Sequence, residues 1–139
     1  MNISLQVDLV ITQELLDAIL VTAFEGGINY WCSGAQQNNE EAIFGRDFND
    51  SNFAFYVDQK HRFCYELYDT DSGDSFHNNV KGIGYTDLTI ESLVKGIRKY
   101  IYHQNSMNEP INILAEGTWD VNDADMIVQF AVFGELVFG

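Results

Sequence analysis

A single proline, two cysteines and three histidines occur in 139 residues, and lysine and arginine are missing from both ends of the chain. All seven cations (Arg46, Lys60, Arg62, Lys81, Lys95, Arg98, Lys99) lie between Arg46 and Lys99. The first 45 residues carry six acids and no cation, and the stretch from Asn105 to Gly139 repeats that pattern. The net charge is −14, whereas small soluble domains usually stay within about two to eight units of neutrality. Nucleic-acid phosphate and anionic lipid are bound through Lys and Arg. Neither direct nucleic-acid binding nor membrane binding is therefore expected, and a basic partner is favoured instead.

Other absences narrow the reading further. No apolar run approaches the ~18 residues of a membrane span. The opening residues lack a basic segment followed by an apolar one and do not read as a signal peptide, so a cytoplasmic location is expected. Cys32 and Cys64 then read as reduced, buried, inert thiols, and two cysteines without a second pair make no zinc site. His61, His77 and His103 are isolated, at no metal-ligand spacing, and read as surface or hairpin residues. No P-loop, dinucleotide fingerprint or serine-hydrolase motif occurs. No catalytic residue, metal or cofactor is expected. An enzyme would have to rest on an unrecognised acid pair or on the Cys and His residues, which would make it a hydrolase of unfamiliar design.

What is present is a folding chain. Apolar residues make up 46% and aromatics 14%, too hydrophobic for the disorder that high charge alone would imply. Its length suits one globular domain, residues 1–139. Ile3, Leu5, Val7 and Leu9 alternate with polar neighbours and predict a half-buried strand. Thr12 predicts a helix cap, and Leu15, Leu16, Ile19, Leu20, Ala23 and Phe24 recur at helical spacing. Gly26-Gly27 reads as the terminator of that helix. Ile28 to Cys32 reads as extended, and the polar stretch from Ser33 to Asn52 as a loop. Phe53 to Asp58 and Phe63 to Tyr68 read as a hairpin, Asp69 to Gly73 as a turn, and Gly84 to Leu88 as a further strand. Thr89 predicts a second N-cap before the stripe Leu93, Val94, Ile97, Tyr100, Ile101. Asn105 to Pro110 reads as a linker. Asp120 or Asn122 caps a third helix reaching about Phe133, Gly134 stops it, and Leu136 to Phe138 reads as a short strand. The fold class is α+β, a mostly antiparallel sheet with about three helices packed on it.

Three motifs bear on function. Glu25-Gly-Gly-Ile-Asn-Tyr-Trp31 is either a helix end entering a core strand or a recognition wall. In the second case Tyr30 and Trp31 stack a ligand and Asn29 orients it. Asp69-Thr-Asp-Ser-Gly-Asp74 resembles half of a calcium loop, but the twelfth position is Val80 rather than Glu, so an acidic turn is the plainer reading. Asp120, Asn122, Asp123 and Asp125 crowd a helix start, where carboxylates are favoured by the helix dipole alone. As a contact patch they would extend Glu109 and Glu116.

The segments LVTAFEGGINYWC (Leu20 to Cys32), TIESLVKGI (Thr89 to Ile97) and DADMIVQFAVFGELVFG (Asp123 to Gly139) resemble a family of small bacteriophage and prophage proteins. The resemblance labels a family and carries no activity with it. It implies a phage accessory protein acting in a bacterial cell, with counter-defence as the expected context. Two functions fit. The first is a non-enzymatic inhibitor presenting Glu40, Glu41, Glu109, Glu116, Asp120, Asp123 and Asp125 to the basic nucleic-acid-binding site of a host defence protein. The alternative is a sponge for a nucleotide-like signalling molecule. There Asn29, Tyr30 and Trp31 face the base, and Arg46, Arg62, Arg98 or Lys99 reach the phosphates, within one chain or across a dimer. A self-assembling structural protein, joined through exposed aromatic strands as a homodimer or higher oligomer, is the remaining class.

Overall fold

Thr12 opens the first helix, its hydroxyl accepting from the Leu15 amide at 3.1 Å, which satisfies one of the donors every helix start leaves unpaired. The computed structural model describes residues 10–38, 40–44, 60–68, 80–106 and 119–139, leaving aside the side chains of 66–68, 80 and 81. The expected strand at the N-terminus, the segment Phe53 to Asp58, the Asp69 to Gly73 turn and most of the Pro110 linker lie outside these residues, though Asn105 and Ser106 prove helical.

Helix α1 (Gln13–Thr22) buries Leu16, Ile19 and Leu20 and runs on into a π-helical turn, Ala23–Gly27. The glycine pair does not stop the helix in a left-handed conformation; among the described residues positive φ occurs at Asn38, Gly134 and Gly139. Gly27 is needed for another reason: a Cβ there would lie 2.7 Å from the Val121 carbonyl oxygen. Residues 28–31 are likewise not extended. They turn, with Trp31 N and Cys32 N both donating to Ile28 O at 3.1 and 2.8 Å.

Four strands follow: β1 (Cys32–Gln37), β2 (Ile43–Phe44), β3 (His61–Tyr68) and β4 (Val80–Leu88). They form one antiparallel sheet in the order β2-β1-β3-β4. The stretch read as a loop from Ser33 thus supplies an internal strand. Its residues, small or amidic, have little strand preference of their own, and cross-strand pairing overrides that. Gln36 pairs with Arg62 and Arg62 with Asp87, while Gln37 and Leu88 flank His61. His61 is buried, not a surface residue.

Helix α2 (Ile90–Ser106) starts at Thr89, whose Oγ1 accepts from Ser92 N while Ser92 Oγ accepts from Thr89 N. Helix α3 (Val121–Phe133) starts at Asp120 in a reciprocal capping box with Asp123 and ends at left-handed Gly134, φ 77°. Residues 136–138 form no strand; the tail instead folds back on α3. Ala35, Phe63 and Leu88 on one sheet face join Leu16, Ile19, Leu20, Leu93, Ile97, Ile127 and Val128 in one core. Each large side chain buried there contributes about 1.5–3 kcal/mol. The fold is α+β, as expected: among the described residues, an antiparallel sheet and three α-helices.

The α2–α3 crossing is as close as Gly96 permits, since a Cβ would lie 2.6 Å from Ile127 O and 2.9 Å from Ala131 Cβ. Gly96→Ala should gain about 1 kcal/mol in helix propensity yet lose more by forcing the helices apart. The net expectation is a destabilisation of roughly 1–2 kcal/mol in chemical denaturation. An unchanged or raised midpoint would show that the crossing has slack.

Candidate functional site

Among the described residues, five polar or charged side chains are buried: His61, Gln104, Asp123, Asp125 and Gln129. The Asp125 carboxylate, 8% exposed, accepts from the Tyr30 hydroxyl at 2.6 Å, the Trp31 indole N–H at 2.7 Å and Gln129 Nε2 at 3.0 Å. Gln129 sits one helical turn beyond Asp125 and is itself buried. Its Oε1 accepts from the backbone N–H groups of Val137 and Phe138 at 2.9 and 2.8 Å, and its Nε2 reaches Phe138 O at 3.2 Å. The amide thus pairs with the tail as a neighbouring strand would. Phe138 stacks flat on Trp31, centroids 5.4 Å apart and planes 1° from parallel, and Phe133 meets the same indole edge-on.

A second carboxylate is internal in the same way. Asp123 Oδ1 accepts from the Tyr100 hydroxyl at 2.7 Å, and Oδ2 from the Asp120 amide at 2.9 Å. Gln104 donates to that hydroxyl at 3.0 Å. Tyr30 and Tyr100 are both pushed above the ordinary tyrosine range, first by burial and then by the carboxylates that hold their protons.

These contacts correct the sequence reading at several positions. Asp123 and Asp125 are not part of an exposed acidic patch; they are buried, and their oxygens hold buried and part-buried donors. Asp120 is exposed, but its Oδ1 serves the amides of Asn122 and Asp123. Glu40 and Glu41 are exposed as expected. Glu109, Glu116 and Arg46 lie outside the described residues. Trp31 is 5% exposed and packed on its face and edge, so it forms no ligand-facing wall; Asn29, half-buried, and Tyr30, more than half exposed, flank it. The cations do not gather there either. Lys99 donates to Gly134 O at 2.8 Å, where it satisfies the end of α3. Arg98 is exposed on α2, and Arg62 lies in a different place.

That place is a cleft of about 410 Å³ where the ends of β1 and β4 meet the start of β3. Gln36, Asn38, Lys60, His61, Arg62, Asp87, Leu88 and Thr89 line it. Arg62 Nε and Nη2 donate to the two Asp87 oxygens at 2.7 and 3.3 Å. The guanidinium holds the Asp87 carboxyl below the usual carboxylate range. The rim is tied by Asn38, whose backbone N–H donates to Lys60 O and whose Oδ1 accepts from Lys60 N.

Both thiols are buried and free. Burial pushes the Cys32 thiol up to about 12 and raises Cys64 despite nearby Arg62. Such thiols are poor nucleophiles, since the reactive form is the thiolate. Among the described residues no group of three or more His, Cys, Asp or Glu is placed to hold a metal ion, and no helix is long and apolar enough to cross a membrane. Gln129 was missed from the sequence, as was the polar role of Tyr100. The available signal was polar residues four apart, Asp125 and Gln129, inside the apolar face of α3. Comparison with protein-family models, with curated proteins and with solved structures returned no match.

Two outcomes follow. Asp125→Ala strands three buried or half-buried donors and should lower stability by roughly 2–4 kcal/mol, with Asp125→Asn losing less because one acceptor oxygen remains. Denaturant melts with Trp fluorescence measure this, and a loss under ~1 kcal/mol would show the network to be dispensable. The second concerns alkaline pH. Below the ordinary thiol value of 9.0, Cys32 is protonated folded or unfolded. Between 9.0 and about 12 the unfolded chain releases the proton that the fold keeps, so stability falls as pH rises through that window. Tyr30 and Tyr100 add to the fall from 10.0 upward. The melting temperature should drop across this range, and Cys32→Ala should flatten its first part.

Proposed function

We propose that this protein is a non-catalytic binding protein that offers an acidic helix face to a basic partner. The observation that carries the reading is the outer side of α1 and its π turn. Glu14, Ala18, Val21 and Glu25 are exposed at intervals of three and four residues, with half-buried Asp17 beside them. Residues so spaced form one stripe on a helix, here about 16 Å long at 1.5 Å per residue. Its chain neighbourhood holds no compensating charge, because no Lys or Arg occurs in the first 45 residues. Elsewhere, Arg62 is engaged by Asp87 and Lys99 by a carbonyl. Exposed Glu40 and Glu41 add to the negative exterior.

A basic surface built for nucleic acid is the partner that such a stripe fits, because it already binds a linear array of negative charge. The resemblance to phage proteins makes a host defence protein the partner to test first. Asp123 and Asp125 drop out of the contact surface, and α1 takes their place.

The test is affinity capture from bacterial lysate at low salt, followed by measurement of each purified partner's affinity. The expected partner binds nucleic acid, is displaced by duplex DNA, and loses roughly tenfold or more in affinity between 50 and 200 mM salt. The triple variant Glu14→Lys, Asp17→Lys, Glu25→Lys should abolish its capture. A partner held equally well by that variant, or indifferent to DNA and salt, would overturn the reading.

A further inference from the structure

We propose that the cleft lined by Gln36, Asn38, Lys60, Arg62, Asp87 and Thr89 is a binding site for a small phosphate ester, with Lys60 and Arg62 taking the phosphate. The site is separate from the acidic face of α1 and does not depend on it.

The cleft has the size of a small-ligand site, about 410 Å³ where such sites run roughly 300–1,000 Å³. Its charge is the more informative property. A protein of net charge −14 carries a long-range field that disfavours anions. In this cleft the balance inverts: two of the seven cations line it, against one acid, Asp87. Lys60 and Arg62 are two residues apart, the spacing that sends side chains to one face of an extended chain, and buried His61 between them also lines the cleft. A guanidinium and an ammonium side by side offer more N–H donors than a carboxylate's two oxygens can use, even with two engaged by Asp87. This favours the three terminal oxygens of a phosphate ester.

Arg62 is also set in advance. Its planar fork is held by Asp87 through two N–H donors, out of five on a guanidinium, so the remaining donors can meet phosphate without a search over rotamers. Cross-strand register fixes the row, with Gln36, Arg62 and Asp87 adjacent on β1, β3 and β4. Gln36 and Asn38 line the cleft beside the cations, with Gln36 Nε2 donating to Glu40 O at 2.7 Å and Asn38 Oδ1 accepting from Lys60 N at 3.1 Å. The positive end of α2 at Thr89 adds to the field without being its source.

Asp87 is then both the holder of Arg62 and a negative charge that an arriving phosphate meets. This gives the proposal a signature that a merely structural ion pair lacks. Titration calorimetry and thermal shift with inorganic phosphate and adenosine monophosphate, against sodium chloride at equal ionic strength, form the experiment. Wild type should show a saturable response to the monophosphate. Arg62→Gln and Lys60→Gln should each weaken it by about tenfold or more, and Asp87→Asn should tighten it several-fold. All three changes are at exposed positions, and circular dichroism confirms that each variant is folded. No saturable response in either wild type or Asp87→Asn would overturn the proposal. So would an Arg62→Gln protein that binds like wild type, or a response to free phosphate with none to the ester. The α1 triple-lysine variant should still bind the monophosphate, so failure of one reading is distinguishable from failure of the other.

Discussion

The Asp125 carboxylate is the constraint around which the described structure closes. A carboxylate taken from water into an aromatic surrounding is tolerable only when donors replace the lost hydration. Its three donors come from two places: the turn after the first helix (Tyr30, Trp31) and the next turn of its own helix (Gln129). Tyr30 and Trp31 reach it because Gly27 lets the backbone of the π turn rest against the start of α3, where a methyl group would strike Val121 O. Gln129 then uses the rest of its amide to fix the tail, which brings Phe138 flat onto the indole that Asp125 already holds. One buried charge therefore ties α1, α3 and the C-terminal residues into a single arrangement.

The acids of this protein divide into two populations with different physical roles. Asp120, Asp123 and Asp125 crowd the first turns of α3, where the helix dipole alone would favour them, yet the contacts show more than dipole compensation. Asp120 caps, Asp123 joins the cap to Tyr100 on α2, and Asp125 joins α3 to the Tyr-Trp turn. The Asp123 and Asp125 carboxylates are thus engaged in internal contacts, while Asp120 caps the helix from an exposed position. Glu14, on the outer side of α1, and Glu25, in the π turn that follows, are exposed, away from the buried Leu16, Ile19, Leu20 stripe. An excess of such charge adds self-repulsion, a cost that the proposed contact with a basic partner would offset.

The helices were legible because their ends obey local chemistry. Thr12, Thr89 and Asp120 each accept from an amide near the helix start, and Gly134 takes the left-handed conformation that stops α3. The strand β1 was not legible. Cys-Ser-Gly-Ala-Gln-Gln contains no β-branched or aromatic residue, and its ladder with β3 comes from residues far along the chain. Tyr30 and Trp31 looked like strand or ligand wall for a related reason: their partner, Asp125, is remote in sequence, and a linear reading gives it a sufficient local explanation as a helix-start acid. The candidate cleft was equally hidden. Arg62 could be named from sequence as a phosphate-reaching cation, but only strand register shows that Gln36 and Asp87, rather than Tyr30 and Trp31, are its neighbours.

The Arg62–Asp87 pair gains its interest from how little it can contribute to stability. Both side chains are about half exposed, 49% and 59%, and solvent-exposed pairs are worth roughly 0–1 kcal/mol. Removing it should scarcely trouble the fold, so stability does not explain why a scarce cation stands at a cleft with an acid across from it. Geometry explains it better. Antiparallel register places the two residues directly opposite, and the acid fixes the plane of a side chain that would otherwise sample many rotamers. In a chain of net charge −14, a guanidinium held in one orientation at the mouth of a cleft is a means of accepting an anion.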